Sequence, residues 1–255
     1  MANEIDINIG TYDLDSTNGV SVDDISISIA KQVQEYALPK FHGSIIPIGK
    51  RKSMSVRLKG SVSSTNYDAL RTLLDSLKNA FDDTSEKKFT TDDDRQLFVQ
   101  YKSFSYSWRA LRTYAIFTVE LVASDPYWLS QTLNSDSAIR STGVGFTITN
   151  SGNAPTRVKV TITAGAGGIL ANDIKLENQT TGETFQYNEA IGAAGVLVVN
   201  NKVDTADLVV TEDGVSNFPD FQGDFLTLNP GANTLVLTSL AVGATTKIEW
   251  RDAYK

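Results

Sequence analysis

The chain of 255 residues contains no cysteine. That excludes disulfides, thiolate nucleophiles and cysteine-ligated zinc or iron–sulfur sites together. It also fits synthesis in a reducing compartment. Histidine is nearly as scarce. His42 is the one copy, so any Ser-His-Asp arrangement has to use it. It sits between Phe41 and Gly43 in a stretch without helix or strand pattern, and no Gly-x-Ser-x-Gly elbow occurs elsewhere. No catalytic centre is expected from it. Positive charge is also short: 23 Lys+Arg stand against 30 Asp+Glu, a net charge of −7. A nucleic-acid reader needs a basic face to neutralise phosphates, and none is legible. Long apolar runs are missing as well. The longest weakly polar stretch, residues 190–199, is far below the ~18 residues that cross a bilayer. The first residues, Met1-Ala-Asn-Glu-Ile-Asp-Ile-Asn8, have neither the basic nor the apolar region of a signal peptide. A soluble protein with no membrane partner is expected.

What is present is alternation. Glu4-Ile5-Asp6-Ile7-Asn8-Ile9 and Asp24-Ile25-Ser26-Ile27-Ser28-Ile29 place isoleucine at every second position. This marks strands buried on one face. Residues 53–59 repeat the pattern with Met54, Val56 and Leu58 inward, and residues 95–104 and 113–123 are further strands. One helix is expected over about residues 65–82. Tyr67, Leu70, Leu74, Leu77 and Phe81 fall on one stripe. Thr65 is the expected N-cap, with Asp68 three residues on as a short capping box. Two stretches read as irregular arms, residues 10–23 and 31–52. Arms of that length suit contact with a neighbouring copy.

A polar stretch over residues 130–142 reads as a linker and sets two domains, 1–130 and 131–255. The second domain shows no helical period. Short strands at 144–149, 157–163, 174–178, 184–187, 196–200, 225–228, 234–238 and 245–250 are separated by turns such as Asn150-Ser-Gly-Asn153 and Asn229-Pro-Gly231. That spacing predicts an antiparallel β-sandwich.

Candidate ligand groups are weak. Asp92-Asp93-Asp94 lacks the spacing of a calcium loop. Asp204 and Asp207 could form a carboxylate pair only inside a cleft. Gly165, Gly167 and Gly168 are not followed by the Lys-Ser/Thr of a phosphate loop. No metal and no cofactor are therefore expected. Tyr187, Phe218, Phe221, Trp250 and Tyr254 could supply an aromatic platform for a saccharide. Hence the alternative reading is a carbohydrate-binding adhesin acting through the second domain.

The most informative segment is Phe117-Thr-Val-Glu-Leu-Val-Ala-Ser-Asp-Pro-Tyr-Trp128. A strand runs into Asp125, Pro126, Tyr127 and Trp128, where Pro126 cannot donate to a ladder. In order with the strand and helix before it, and with Asn150-Ser-Gly-Asn-Ala-Pro-Thr156, Thr180-Thr-Gly-Glu183 and Leu228-Asn-Pro-Gly-Ala-Asn233 after it, this resembles the distal tail protein family of long-tailed bacteriophages. The resemblance implies a mainly β chain: a tail-tube-like N-terminal β domain with one helix, and a galectin-like C-terminal sandwich. It implies a non-enzymatic virion protein at the distal end of the tail. Such a protein forms a hexameric homo-oligomer ring that joins the tail tube protein to the tip hub and, in many phages, carries receptor-binding proteins. Phage DNA would pass through the ring without sequence-specific binding.

Overall fold

The computed structural model describes residues 7–9, 12–14, 19–31, 36–37, 44–45, 51–82, 86–91, 94–108, 113–203, 208–238 and 243–255. The fold is mainly antiparallel β, and the chain divides into two compact units, Met1–Trp128 and Leu129–Lys255.

The first unit contains β1 (Asn8–Ile9), β2 (Tyr12–Asp13), β3 (Val20–Lys31), β4 (Tyr36–Ala37), β5 (Ser44–Ile45), β6 (Arg51–Ser63), helix α1 (Tyr67–Phe81), β7 (Lys87–Thr90), β8 (Arg95–Trp108) and β9 (Tyr114–Ala123). Its main sheet runs β2-β1-β7-β8-β9-β6-β3, each neighbour antiparallel. The alternation expected of β6 is present: Met54, Val56, Leu58 and Val62 are buried. Ala115, Phe117, Val119, Leu121 and Ala123 of β9 share the same core. Burying one face of each strand supplies the driving force, on the order of 25 cal/mol per Å² of apolar surface. Within the two stretches read as irregular arms, the described residues include strands. Residues 20–23 belong to β3, and β4 pairs with β5. The rest of residues 32–50, with His42, lies outside the described residues.

Helix α1 lays Leu70, Leu74, Leu77 and Phe81 into this core. Tyr67 begins the stripe but is exposed, with its ring 5.4 Å from that of Trp108. The N-cap is Asn66, not Thr65: its extended backbone (φ −151°, ψ 170°) lets its side chain accept from the Ala69 N–H at 2.9 Å. Both residues can cap, so a one-residue offset is invisible to pattern reading. Asn66→Ala is expected to cost about 1 kcal/mol in chemical denaturation, with Asn66→Ser close to wild type.

The strand β10 (Trp128–Ser130) lies at the division. The second unit then holds β11 (Asn134–Ile139), β12 (Gly145–Asn150), β13 (Thr156–Thr163), β14 (Ile174–Asn178), β15 (Glu183–Tyr187), β16 (Val196–Asn201), β17 (Leu208–Glu212), β18 (Val215–Ser216), β19 (Phe221–Gly223), β20 (Thr227–Leu228), β21 (Gly231–Thr238), β22 (Thr245–Trp250) and β23 (Ala253–Tyr254). One sheet runs β11-β22-β13-β16-β17-β18 and the other β12-β21-β14-β15-β19. Val160, Leu197 and Ile248 from the first meet Leu176, Phe185 and Leu235 from the second in one core. That is the expected sandwich. Glu249 is the one buried acid among the described residues. Burial pushes its pKa up, but Lys247 at 2.6 Å and Lys159 at 3.5 Å pull it further the other way, and the carboxyl sits below its ordinary value.

The stretch read as a linker is not wholly irregular. It contains β11, which pairs along its full length with β22, from Asn134↔Trp250 to Ile139↔Thr245. Its serines and Asp136 carry little apolar signal, which is tolerated because this is an edge strand. Asparagines organise the turns from inside. Asn178 donates to the Thr227 carbonyl at 2.7 Å and accepts from the Thr180 N–H. Asn233 accepts from the Asn229 N–H at 2.8 Å and donates to the Asn229 and Gly231 carbonyls. At Gly152 the chain passes so close to Ala253 that a Cβ would lie 2.0 Å from its carbonyl oxygen.

Candidate functional site

The candidate residues scatter. Asp125, Pro126, Tyr127 and Trp128 follow the end of β9 and are all half-buried. The Asp125 carboxylate accepts from the Tyr127 N–H at 3.2 Å, which bends the chain just past the strand. The Arg51 guanidinium lies 5.2 Å from the centre of the Tyr127 ring, and Trp128 packs on Phe89 at 6.1 Å. The segment therefore ends a strand and anchors its own exit by ring contacts.

His42, Asp92, Asp93, Asp204 and Asp207 lie outside the described residues. Gly165 and Gly168 form a turn in which the Gly168 N–H donates to the Gly165 carbonyl, and no described helix begins there. Of the aromatic candidates, Tyr187 and Trp250 are buried in the sandwich core. The Tyr187 hydroxyl donates to Glu212 and accepts from Asn217, both at 2.6 Å. Burial, together with the Glu212 carboxylate, raises its pKa, so it stays a protonated donor. Tyr254 is half-buried in β23. Phe218 is exposed, and Phe221 is half-buried against Phe185. Among the described residues no three His, Asp or Glu side chains converge as a metal site would require. None of the described helices is long and apolar enough to cross a membrane.

What the structure does assemble is a two-sided sheet in the first unit. On the face away from α1, polar residues align in rows across four strands. One row is Asp24, Lys59, Thr118 and Ser105; the next is Ser26, Arg57, Glu120 and Ser103. Each row pairs an acid with a base, so the face is hydroxyl-rich and charge-compensated. Lys102, placed by a bulge between Tyr101 and Ser103, reaches Glu120 at 3.3 Å. A hollow of about 240 Å³ opens there between Ser26, Ser55, Arg57 and Glu120. Of these charges Lys102 and Glu120 come within ion-pair distance, an exposed contact worth about 1 kcal/mol or less. They tune surface charge; they do not build a reaction site.

Among the described residues the sheet also keeps unpaired edge on both sides. Among the described residues β3 pairs only with β6. On the other side β7 meets β8 from Gln96 to Val99, β10 also pairs with β8, and residues 101–108 are in register with β9. Both open edges leave large side chains exposed on the core face: Ile27 and Ile29, each 43% exposed, on β3, and Tyr106 and Trp108 on β8. Exposed strand edges with apolar side chains are the ordinary template for pairing with another chain. Sequence periodicity found the strands but could not show which ones lie at an edge.

These features define a class: a two-unit β protein whose distinctive surfaces are sheet edges and a compensated polar face. The particular family enters through the second unit. Residues 151–254 match the family described as siphovirus-type tail component, C-terminal domain. Its fold as a whole is similar to that of the Dit protein of phage SPP1. That similarity has a TM-score of 0.72 at 13% identity and covers 98% of this chain and 99% of that one. The SPP1 protein is described as a paradigm of the hub adsorption apparatus in phages infecting Gram-positive bacteria. A chain of the activated phage P2 baseplate is similar as well, with a TM-score of 0.53, 11% identity and 98% of each chain covered. No curated protein matches the sequence significantly.

Proposed function

We propose that this chain is a non-enzymatic structural subunit of a phage tail tip, working in the virion at the distal end of the tail. Copies close into a hexameric ring through the first unit. The ring joins the tail tube protein to the tip hub and adhesion apparatus, and DNA passes through its centre. The observation that carries this reading is the doubly open sheet. A strand edge on one side and a different edge on the other give a heterologous contact, which repeats from copy to copy and must close. Joining β3 of one copy to the outer half of β8 in the next would continue the sheet. It would also bring Ile27 and Ile29 beside the exposed aromatic rings. The opposite face would then line the channel. Its serines and paired charges suit a polyanion that must slide without being held. Asp125, Pro126, Tyr127 and Trp128 act in this reading as a structural end to the ring-forming sheet.

The test is mass in solution. Wild-type protein is expected to form a ring-sized species by light scattering, alone or with tail tube protein added. Ile27→Lys/Ile29→Lys puts charge on the β3 edge, a common natural defence against strand addition. The variant is expected to keep its circular dichroism spectrum and to run as a monomer. A wild-type protein that stays monomeric in both settings, or a variant that still closes, ends the proposal.

A further inference from the structure

The end of the second unit where both sheets stop carries an apolar and acidic surface. The strand β18 is the last in its sheet and β19 the last in the other. The short turn Phe218–Asp220 carries the chain from one to the other. Here Phe218 is 43% exposed and Val215 70% exposed. Behind Phe218 stands a ring cluster: Phe225 at 5.8 Å from it, Phe221 at 4.7 Å from Phe225, and buried Phe185 at 5.6 Å from Phe221. The outer ring is therefore held by core rings, as a preorganised anchor site requires. The chain segment that forms this end carries charge of one sign. Residues 203–246 contain no lysine or arginine, and Glu212, Asp213, Asp220 and Asp224 follow one another through this segment. Neutral donors fix three of them: the Tyr187 hydroxyl on Glu212, the Val196 N–H on Asp213 and the Thr184 N–H on Asp224. Among the described residues no cation pairs with any of the four. Their negative charge is positioned but uncompensated.

We infer that this end of the sandwich docks a protein segment that brings an apolar side chain flanked by lysine or arginine. The apolar side chain packs on Phe218 and Val215, and the basic residues meet the carboxylates. Charge complementarity selects this occupant. A neutral sugar would leave the negative charge uncompensated, and a second copy would bring the same sign of charge. The inference does not rest on ring closure.

Fluorescence anisotropy with the full chain tests it. The probes are a labelled short peptide with a leucine pair between lysines, the same peptide with glutamate for lysine, and a solubilised cell-wall polysaccharide. The lysine peptide is expected to bind and the glutamate peptide not to. Phe218→Ser is expected to weaken binding about tenfold, the effect of losing a buried aromatic anchor. Asp220→Asn should weaken it less while flattening its salt dependence. Phe218 is exposed and Asp220 half-buried, so unchanged thermal melting of both variants shows that folding is intact. Equal binding of the two peptides, no binding of either, or indifference to Phe218→Ser overturns the inference. Polysaccharide binding that Phe218→Ser abolishes, without peptide binding, replaces it with a sugar site. Self-association that Phe218→Ser abolishes, seen by sedimentation, replaces it with a contact between copies.

Discussion

Gly60→Val is expected to destroy the sheet of the first unit. Gly60 stands in β6 opposite Val22, where the register of β3 shifts between Val22 and Asp24. The shift brings the Ser21 carbonyl over the glycine. A Cβ there would lie 2.2 Å from that oxygen and 2.7 Å from the Phe117 ring. Neither can yield cheaply: one is backbone, the other a ring with no exposed surface. Even Gly60→Ala is expected to cost about 3 kcal/mol, the upper end of ordinary overpacking, and valine more. Hydrogen exchange across β3 and β6 would show protection lost there first. A second variant separates the two obstacles. Phe117→Leu in the Gly60→Ala background removes the ring collision but leaves the Ser21 carbonyl in place, so little stability should return. Near-normal stability of Gly60→Val would mean that β3 leaves β6 without penalty. The edge proposed to pair with a neighbouring copy would then not be a fixed one.

Asn233→Ala is expected to be the most damaging single substitution in the turns of the second unit. The side chain is fully buried and satisfies three backbone groups: the Asn229 N–H, the Asn229 carbonyl and the Gly231 carbonyl. Alanine leaves these groups without their partner at the mouth of the core. Each orphaned buried group costs about 1–3 kcal/mol, so a loss of about 3 kcal/mol or more follows even with partial access for water. In thermal melting that is a fall of about 10 °C for a unit of this size. Asn233→Asp keeps the acceptor but loses the donor, and should fall between. The first unit's transition should not move, since the substitution lies wholly within the second. A fall shared by both transitions would instead show that the two units unfold as one.

Asn233 also shows where sequence reading stops. Asn229-Pro-Gly231 announces a turn by composition, but nothing in the letters says that an asparagine two residues on will fold inward and hold that turn. Helix α1 was legible because a stripe of leucines at steps of three and four fits no other local structure. The strands β6 and β9 were legible because each buries one face. β11 was not, because an edge strand built of Asn, Ser and Asp needs no apolar alternation to pair with β22. The same limit hides the edge proposed for assembly. Ile27 and Ile29 read as inward-facing residues, and they do lie on the core face. Their exposure comes from their place at the end of the strand order, which is a property of topology and not of the local sequence. Phe218 was visible as an aromatic residue, while Phe225, which supports it, was not singled out. Their joining depends on a turn between two sheets.

The closeness of Gly152 to Ala253 has one more consequence. The Ala154 N–H donates to the Ala253 carbonyl, the Ser130 N–H donates to the Asp252 carbonyl, and the Lys255 N–H donates to Asn153. The second unit is thus tied off where it starts and where it finishes, like a loop of string knotted at the neck. A module closed in this way holds its own two chain ends together by backbone bonds, and so needs no outside clamp to keep them near each other.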